Sequence, residues 1–127
     1  MKIYRTIDIE DEVRKALAPY FTIYCRPLPE NFSTPSLLVT LVGGTDANSI
    51  DGCDVVLDAR AKTDAEAMNL MLDAVATLKE VANTNKTLLR YVDVNSLGSW
   101  GTDPVRPELK LCSTRLRIYT HKIEKII

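Results

Sequence analysis

The chain has 127 residues, 46% hydrophobic and 26% charged, with a formal net charge of −1. That length favours one domain, residues 1–127, able to bury a core without disulfides or metal. Collagen-like, mucin-like and wholly disordered classes are excluded, and no apolar run approaches the roughly 18 residues of a membrane span.

In chain order, Met1-Lys2-Ile3-Tyr4-Arg5-Thr6 lacks the apolar stretch and small-residue cleavage site expected of a secretory leader. Residues 8–18 read as a first helix. Asp8 is a good N-cap, and Glu10, Asp11 and Glu12 lie where the helix dipole favours negative charge. Ile9, Val13, Ala16 and Leu17 form one apolar face, and Pro19 stops the helix. Residues 20–26 read as a short strand. Pro27, Pro29 and Pro35 then bracket a polar loop or sheet-edge segment, because proline cannot donate to a ladder. Residues 36–42 are nearly all apolar or β-branched and predict a strand buried on both faces, or nearly so.

Residues 43–52 predict a hairpin connector. They lack the Gly-Lys-Ser/Thr ending of a phosphate loop. Residues 53–60 alternate, with Cys53, Val55, Leu57 and Ala59 on one face and Asp54, Val56, Asp58 and Arg60 on the other. Paired carboxylates suit acid–base work. With Arg60 beside them, this face is read as the wet side of the sheet. Thr63-Asp64-Ala65-Glu66 is a capping box opening a second helix. Met68, Met71, Leu72, Val75, Leu78, Val81 and Ala82 form its apolar face, and it ends near Asn83. Residues 87–94 predict a strand and residues 95–107 a long loop, of the kind that tends to carry function. That loop holds Trp100, the only tryptophan, read as either a plug on the core or an interface anchor. Residues 109–123 predict a last long strand, with Cys112, Thr114, Leu116 and Ile118 on one face and Arg115, Arg117, Tyr119 and His121 on the other.

The expected fold class is α+β. A mostly antiparallel or mixed sheet carries two helices on one face, in the order α-β-β-β-α-β-β. The three cysteines, Cys25, Cys53 and Cys112, have no metal-knuckle spacing and read as inert core thiols in a reducing compartment. His121 is the only histidine. Cys112 and His121 lie an odd number of positions apart on one predicted strand, so they point to opposite faces and cannot form a nucleophilic pair. No catalytic, metal or cofactor residue is assigned, and no cofactor is expected.

Charge is distributed unevenly. From residue 106 onward, six basic and two acidic residues give +4; residues 1–105 hold ten basic and fifteen acidic residues, giving −5. A basic strand on an acidic body can steer acidic partners, including a second copy of the chain; the alternative is an ordinary solvated strand face. No aromatic-plus-basic RNA signature or helix-turn-helix spacing appears.

These elements resemble a family. The Pro-bracketed stretch (Pro27, Pro29, Pro35) leads to an apolar strand and the Gly43-Gly44 turn. Asp54-Val55-Val56-Leu57-Asp58-Ala59-Arg60 runs into the Thr63-capped helix, and Gly98-Ser99-Trp100-Gly101-Thr102-Asp103-Pro104 feeds the alternating Arg115-Leu116-Arg117-Ile118-Tyr119. This pattern, over roughly residues 8–121, is similar to that of the tail terminator, tail-completion and head–tail joining proteins of long-tailed bacteriophages and prophages. The resemblance implies a virion structural protein assembled in the bacterial cytoplasm. It would form a homo-oligomeric ring, commonly a hexamer, that caps the tail tube and meets tail-tube and head-completion proteins. It implies no enzyme activity, no cofactor, no membrane, and nucleic acid only as something passing through the channel. The interface is expected at Trp100, Asp103, Arg106, Arg115 and Arg117. The alternative reading is a small α+β ligand-binding regulatory domain, which needs a concave apolar pocket with convergent polar groups.

Overall fold

A computed structural model describes residues 1–46, 50–84 and 86–127. The helices form where the sequence places them. In α1 (Ile9–Leu17), the Asp8 side chain accepts the Asp11 N–H, and Ile9, Val13, Ala16 and Leu17 are buried. In α2 (Asp64–Asn83), Thr63 Oγ1 accepts the Glu66 N–H at 3.2 Å. The buried stripe of α2 is Ala67, Met71, Ala74, Val75, Leu78 and Ala82. The small residues Ala67 and Ala74 let the helix lie close to the sheet. Leu72, expected on the apolar face, is instead 41% exposed.

The strands are β1 (Lys2–Arg5), β2 (Ile23–Cys25), β3 (Ser36–Thr45), β4 (Ile50–Ala61), β5 (Leu89–Thr102), β6 (Lys110–His121) and β7 (Ile123–Ile126). Five of them form a mixed sheet in the order β2-β3-β4-β6-β5. All neighbours there are antiparallel except β2 and β3, which run parallel. Both helices pack on one face, over Leu37, Val39, Val55, Leu57, Leu116 and Ile118. Burying each such side chain contributes about 1.5–3 kcal/mol. The predicted order α-β-β-β-α-β-β is therefore present, flanked by β1 and β7. These two terminal strands pair antiparallel as a separate ribbon, with Lys2 opposite Ile126.

Several boundaries differ from the sequence reading, each for a physical reason. The strand expected over residues 20–26 shortens to β2 because the chain leaving α1 turns first: Tyr20 and Phe21 both donate their N–H to Leu17 O. The strand expected to be buried throughout is buried from Ser36 to Val39 only, and Leu41 and Val42 are 40% and 46% exposed. The expected ten-residue connector is largely strand, since Gly43, Gly44 and Thr45 pair with Asp54, Cys53 and Gly52. Gly44 has φ +146°, and a Cβ there would lie 2.4 Å from Gly52 O, so glycine is required. Part of the connector, residues 47–49, lies outside the described residues. The predicted loop from residue 95 is also mostly strand, because β5 runs to Thr102. Its register slips three times, at Leu89/Tyr91, Val94/Ser96 and Ser96/Ser99. Pairing with the regular β6 imposes strand on a sequence of low β-propensity.

Candidate interaction surfaces

At one end of the sheet, two loops close over Arg60. Alternation places Arg60 on the side away from the helices, the side expected to be wet. The structure corrects this: Arg60 is only 8% exposed. Its Nε donates to Asp103 Oδ2 at 2.6 Å. Asp103 Oδ1 accepts the N–H groups of Val105 (2.8 Å) and Arg106 (2.9 Å), so the carboxylate also shapes the turn that carries it. Burial pushes the Asp103 carboxyl pKa up. The Arg106 N–H, the Arg60 guanidinium and the Val105 N–H outweigh that and leave it below the ordinary carboxylate value.

Arg106 fastens the second loop. It donates to Phe32 O at 3.0 Å and Glu30 O at 2.6 Å, and its guanidinium stands 4.1 Å from the centroid of the buried Phe32 ring. Residues 26–35 are thus pinned to the β5–β6 connection. A hollow of about 400 Å³ opens beside this node, lined by Leu28, Pro29, Phe32, Val105, Arg60 and Asp103. Asp103 and Arg106, two residues expected at an interface, are engaged within the chain.

The sheet face opposite the helices is open, and Arg115 and Arg117 stand there with different surroundings. Arg117 Nη1 lies 3.0 and 3.2 Å from the two Asp54 oxygens, its Nη2 donates to Thr45 Oγ1 at 3.1 Å, and its guanidinium is 5.7 Å from the Tyr119 ring. Attraction to Asp54 is the largest influence raising the Arg117 pKa. Gly52 makes room for it, since a Cβ there would lie 2.6 Å from Arg117 Nη2. Arg115 is exposed beside a hollow of about 340 Å³ lined by Val56, Ser96, Ser99 and Ser113, and makes no hydrogen bond or ion pair among the described residues. Asp54 and Asp58 do not work as a carboxylate pair: Asp54 holds Arg117, while Asp58 accepts the Ser113 hydroxyl. Lys122, another of the C-terminal cations, is bound to Asp51 at 2.9 Å and to Asp46.

Trp100 stands opposite Cys112 in the β5–β6 register and is 49% exposed. The indole is thus half at the surface, on the side of β5 that Cys112 shares with the core. Tyr91 and Leu97 of the same strand are 59% and 52% exposed. Cys53 and Cys112 are buried and Cys25 is half-buried. Burial raises all three thiol pKa values, the condition of an unreactive thiol. Cys112 faces the core and His121 is exposed, as their odd spacing requires. Among the described residues, no three His, Cys, Asp or Glu side chains gather to hold a metal ion.

The helical side is acidic. Along α2, Lys79 is the only cation against Asp64, Glu66, Asp73 and Glu80. The sequence reading missed a groove of about 540 Å³ there, formed by Tyr20, Phe21, Ala76 and Val81 with Asp73 and Glu80. Only the register of α2 against the turn after α1 brings these residues together. The chain is therefore a single α+β domain with an open sheet face and an acidic helical back, and none of its described helices is long and apolar enough to cross a membrane. Compared with known proteins, it matches no family model and no curated protein.

Proposed function

We propose that this chain is a self-assembling virion protein, a tail terminator or head–tail joining component that forms a ring capping the tail tube of a long-tailed phage or prophage. The observation that carries the reading is the unlikeness of its two faces. The open sheet face presents Arg115 and Arg117 among Asp54, Asp58 and Asp93, with exposed Tyr91 and Val42, while α2 presents four carboxylates and one lysine. Two unlike patches, one with an arginine and the other with carboxylates that have no side-chain partner among the described residues, favour heterologous contacts, which close into rings when the rotation permits.

The sheet edges argue for faces over edges as the contact. Exposed edge strands invite pairing unless they are short, kinked or covered. Here β2 has three residues, β5 slips register three times, and the Leu41 N–H of β3 is taken by the Glu10 carboxylate, which Arg26 holds at 2.5 Å. The test is light scattering with electron microscopy across a salt series. Ring-sized particles at low salt that dissociate as salt rises are the expected result. A 14.2 kDa species at every salt and protein concentration overturns assembly by the free chain.

The alternative, a ligand-binding regulatory domain, draws on the 400 Å³ hollow beside Arg60 and Asp103. A thermal-shift screen against metabolites separates the two readings. A saturable rise in melting temperature, abolished by Val105→Arg at the exposed rim, would favour ligand binding.

A further inference from the structure

We infer that Arg115 of one copy seats in the groove between α2 and the turn after α1 of the next, with its guanidinium lying between Asp73 and Glu80. The inference rests on the ring reading and assigns its contact.

Arg115 is an exposed guanidinium on the open face without a polar partner among the described residues, whereas neighbouring Arg117 is already held by Asp54 and Thr45. A desolvated guanidinium needs carboxylates and favours an aromatic face. The groove offers both. Tyr20 is 65% exposed, and its ring meets that of Phe21 edge-on at 6.5 Å. Asp73 and Glu80 make no side-chain hydrogen bond or ion pair among the described residues. They lie seven positions apart on α2, so about 10 Å of helix axis separates them. That span admits one guanidinium with a carboxylate on either side.

Donor and receiver are on opposite sides of the domain, because Arg115 projects from the face that the helices leave uncovered. Each copy therefore gives to one neighbour and receives from another, a head-to-tail contact. Stacking in this sense also brings the helical layer of one copy over exposed Tyr91 and Val42 of the next, covering apolar surface that the single chain leaves in water.

The test is charge reversal followed by sedimentation equilibrium at low salt. Arg115→Glu alone, and Asp73→Arg with Glu80→Arg, are each expected to weaken self-association about tenfold or more. All the altered side chains are exposed, so each variant keeps the wild-type melting temperature once dissociated. Mixing the two variants juxtaposes opposite charges at every contact and restores assembly. The three substitutions in one chain do the same. If the wild type assembles and Arg115→Glu assembles equally well, this contact is wrong and the ring reading stands. If the wild type stays monomeric at low salt and high concentration, the contact and free assembly both fall. If both variants weaken assembly and mixing fails to restore it, the pairing of these two sites is wrong.

Discussion

Two arginine–aspartate pairs in this small domain live under different conditions. Arg60 and Asp103 are 2.6 Å apart with side chains 9% and 3% exposed; Arg117 and Asp54 are 3.0 Å apart with side chains 27% and 26% exposed. In water, attraction between the ions is nearly matched by their hydration, so an open-face pair contributes little. In the interior neither ion can return to water if its partner is lost, so the pair is expensive to break even where forming it gains little. The buried pair is therefore an architectural joint, and the open-face pair is surface organisation.

The comparison breaks most visibly at Asp103. Asp103→Ala is expected to lower stability by about 3–5 kcal/mol, because it strands a buried guanidinium. It also removes the acceptor of the Val105 and Arg106 N–H groups. Urea unfolding checks this. Asp103→Asn keeps an acceptor for both backbone donors and should lose distinctly less.

The acid limb of the stability curve sharpens the same contrast. Asp103 has a depressed carboxyl pKa in the folded chain. Its contribution is complete above the carboxyl's unfolded value and is lost as pH falls through the lower folded value. Urea midpoints taken from roughly pH 2 to 7 should fall more steeply for the wild type than for Asp103→Asn. Equal slopes would show that the joint does not depend on charge.

A cap provides an intermediate reference. Thr63→Ala removes the acceptor of the Glu66 N–H and should cost about 1 kcal/mol, read from the same unfolding curves. The smallest effect belongs to the open face. A double-mutant cycle of Asp54→Ala and Arg117→Ala should return a coupling of at most about 1 kcal/mol, shrinking with salt. A coupling as large as the loss at Asp103 would erase the distinction between the two pairs.

Much of the fold is legible in local chemistry. Asp8 and Thr63 mark both helix starts, and the parity of Cys112, Leu116 and Ile118 fixes which side of β6 faces the core. What could not be read depends on partners distant in sequence. The stretch Asn95-Ser96-Leu97-Gly98-Ser99-Trp100 has turn chemistry of its own and becomes strand because β6 lies beside it. Parity placed Arg60 on the correct side of the sheet, yet it says nothing of a loop laid over that side. Arg60 and Asp103 are 43 positions apart, and neither residue's neighbours announce the other. Trp100 was legible as unusual, and Arg115 as one cation among several. That Arg115 is the C-terminal arginine without a polar partner among the described residues follows only after Arg106 and Arg117 are each seen to be occupied.

The ribbon formed by β1 and β7 also has a practical consequence. The backbone of Met1 meets that of Ile127, so both extremities of the described chain leave the molecule at one spot. A fluorophore or affinity peptide fused to either extremity would report the same location on an assembled particle. A short Gly-Ser bridge between them is a natural starting point for circularly permuted versions, which would free the orientation of any fused cargo.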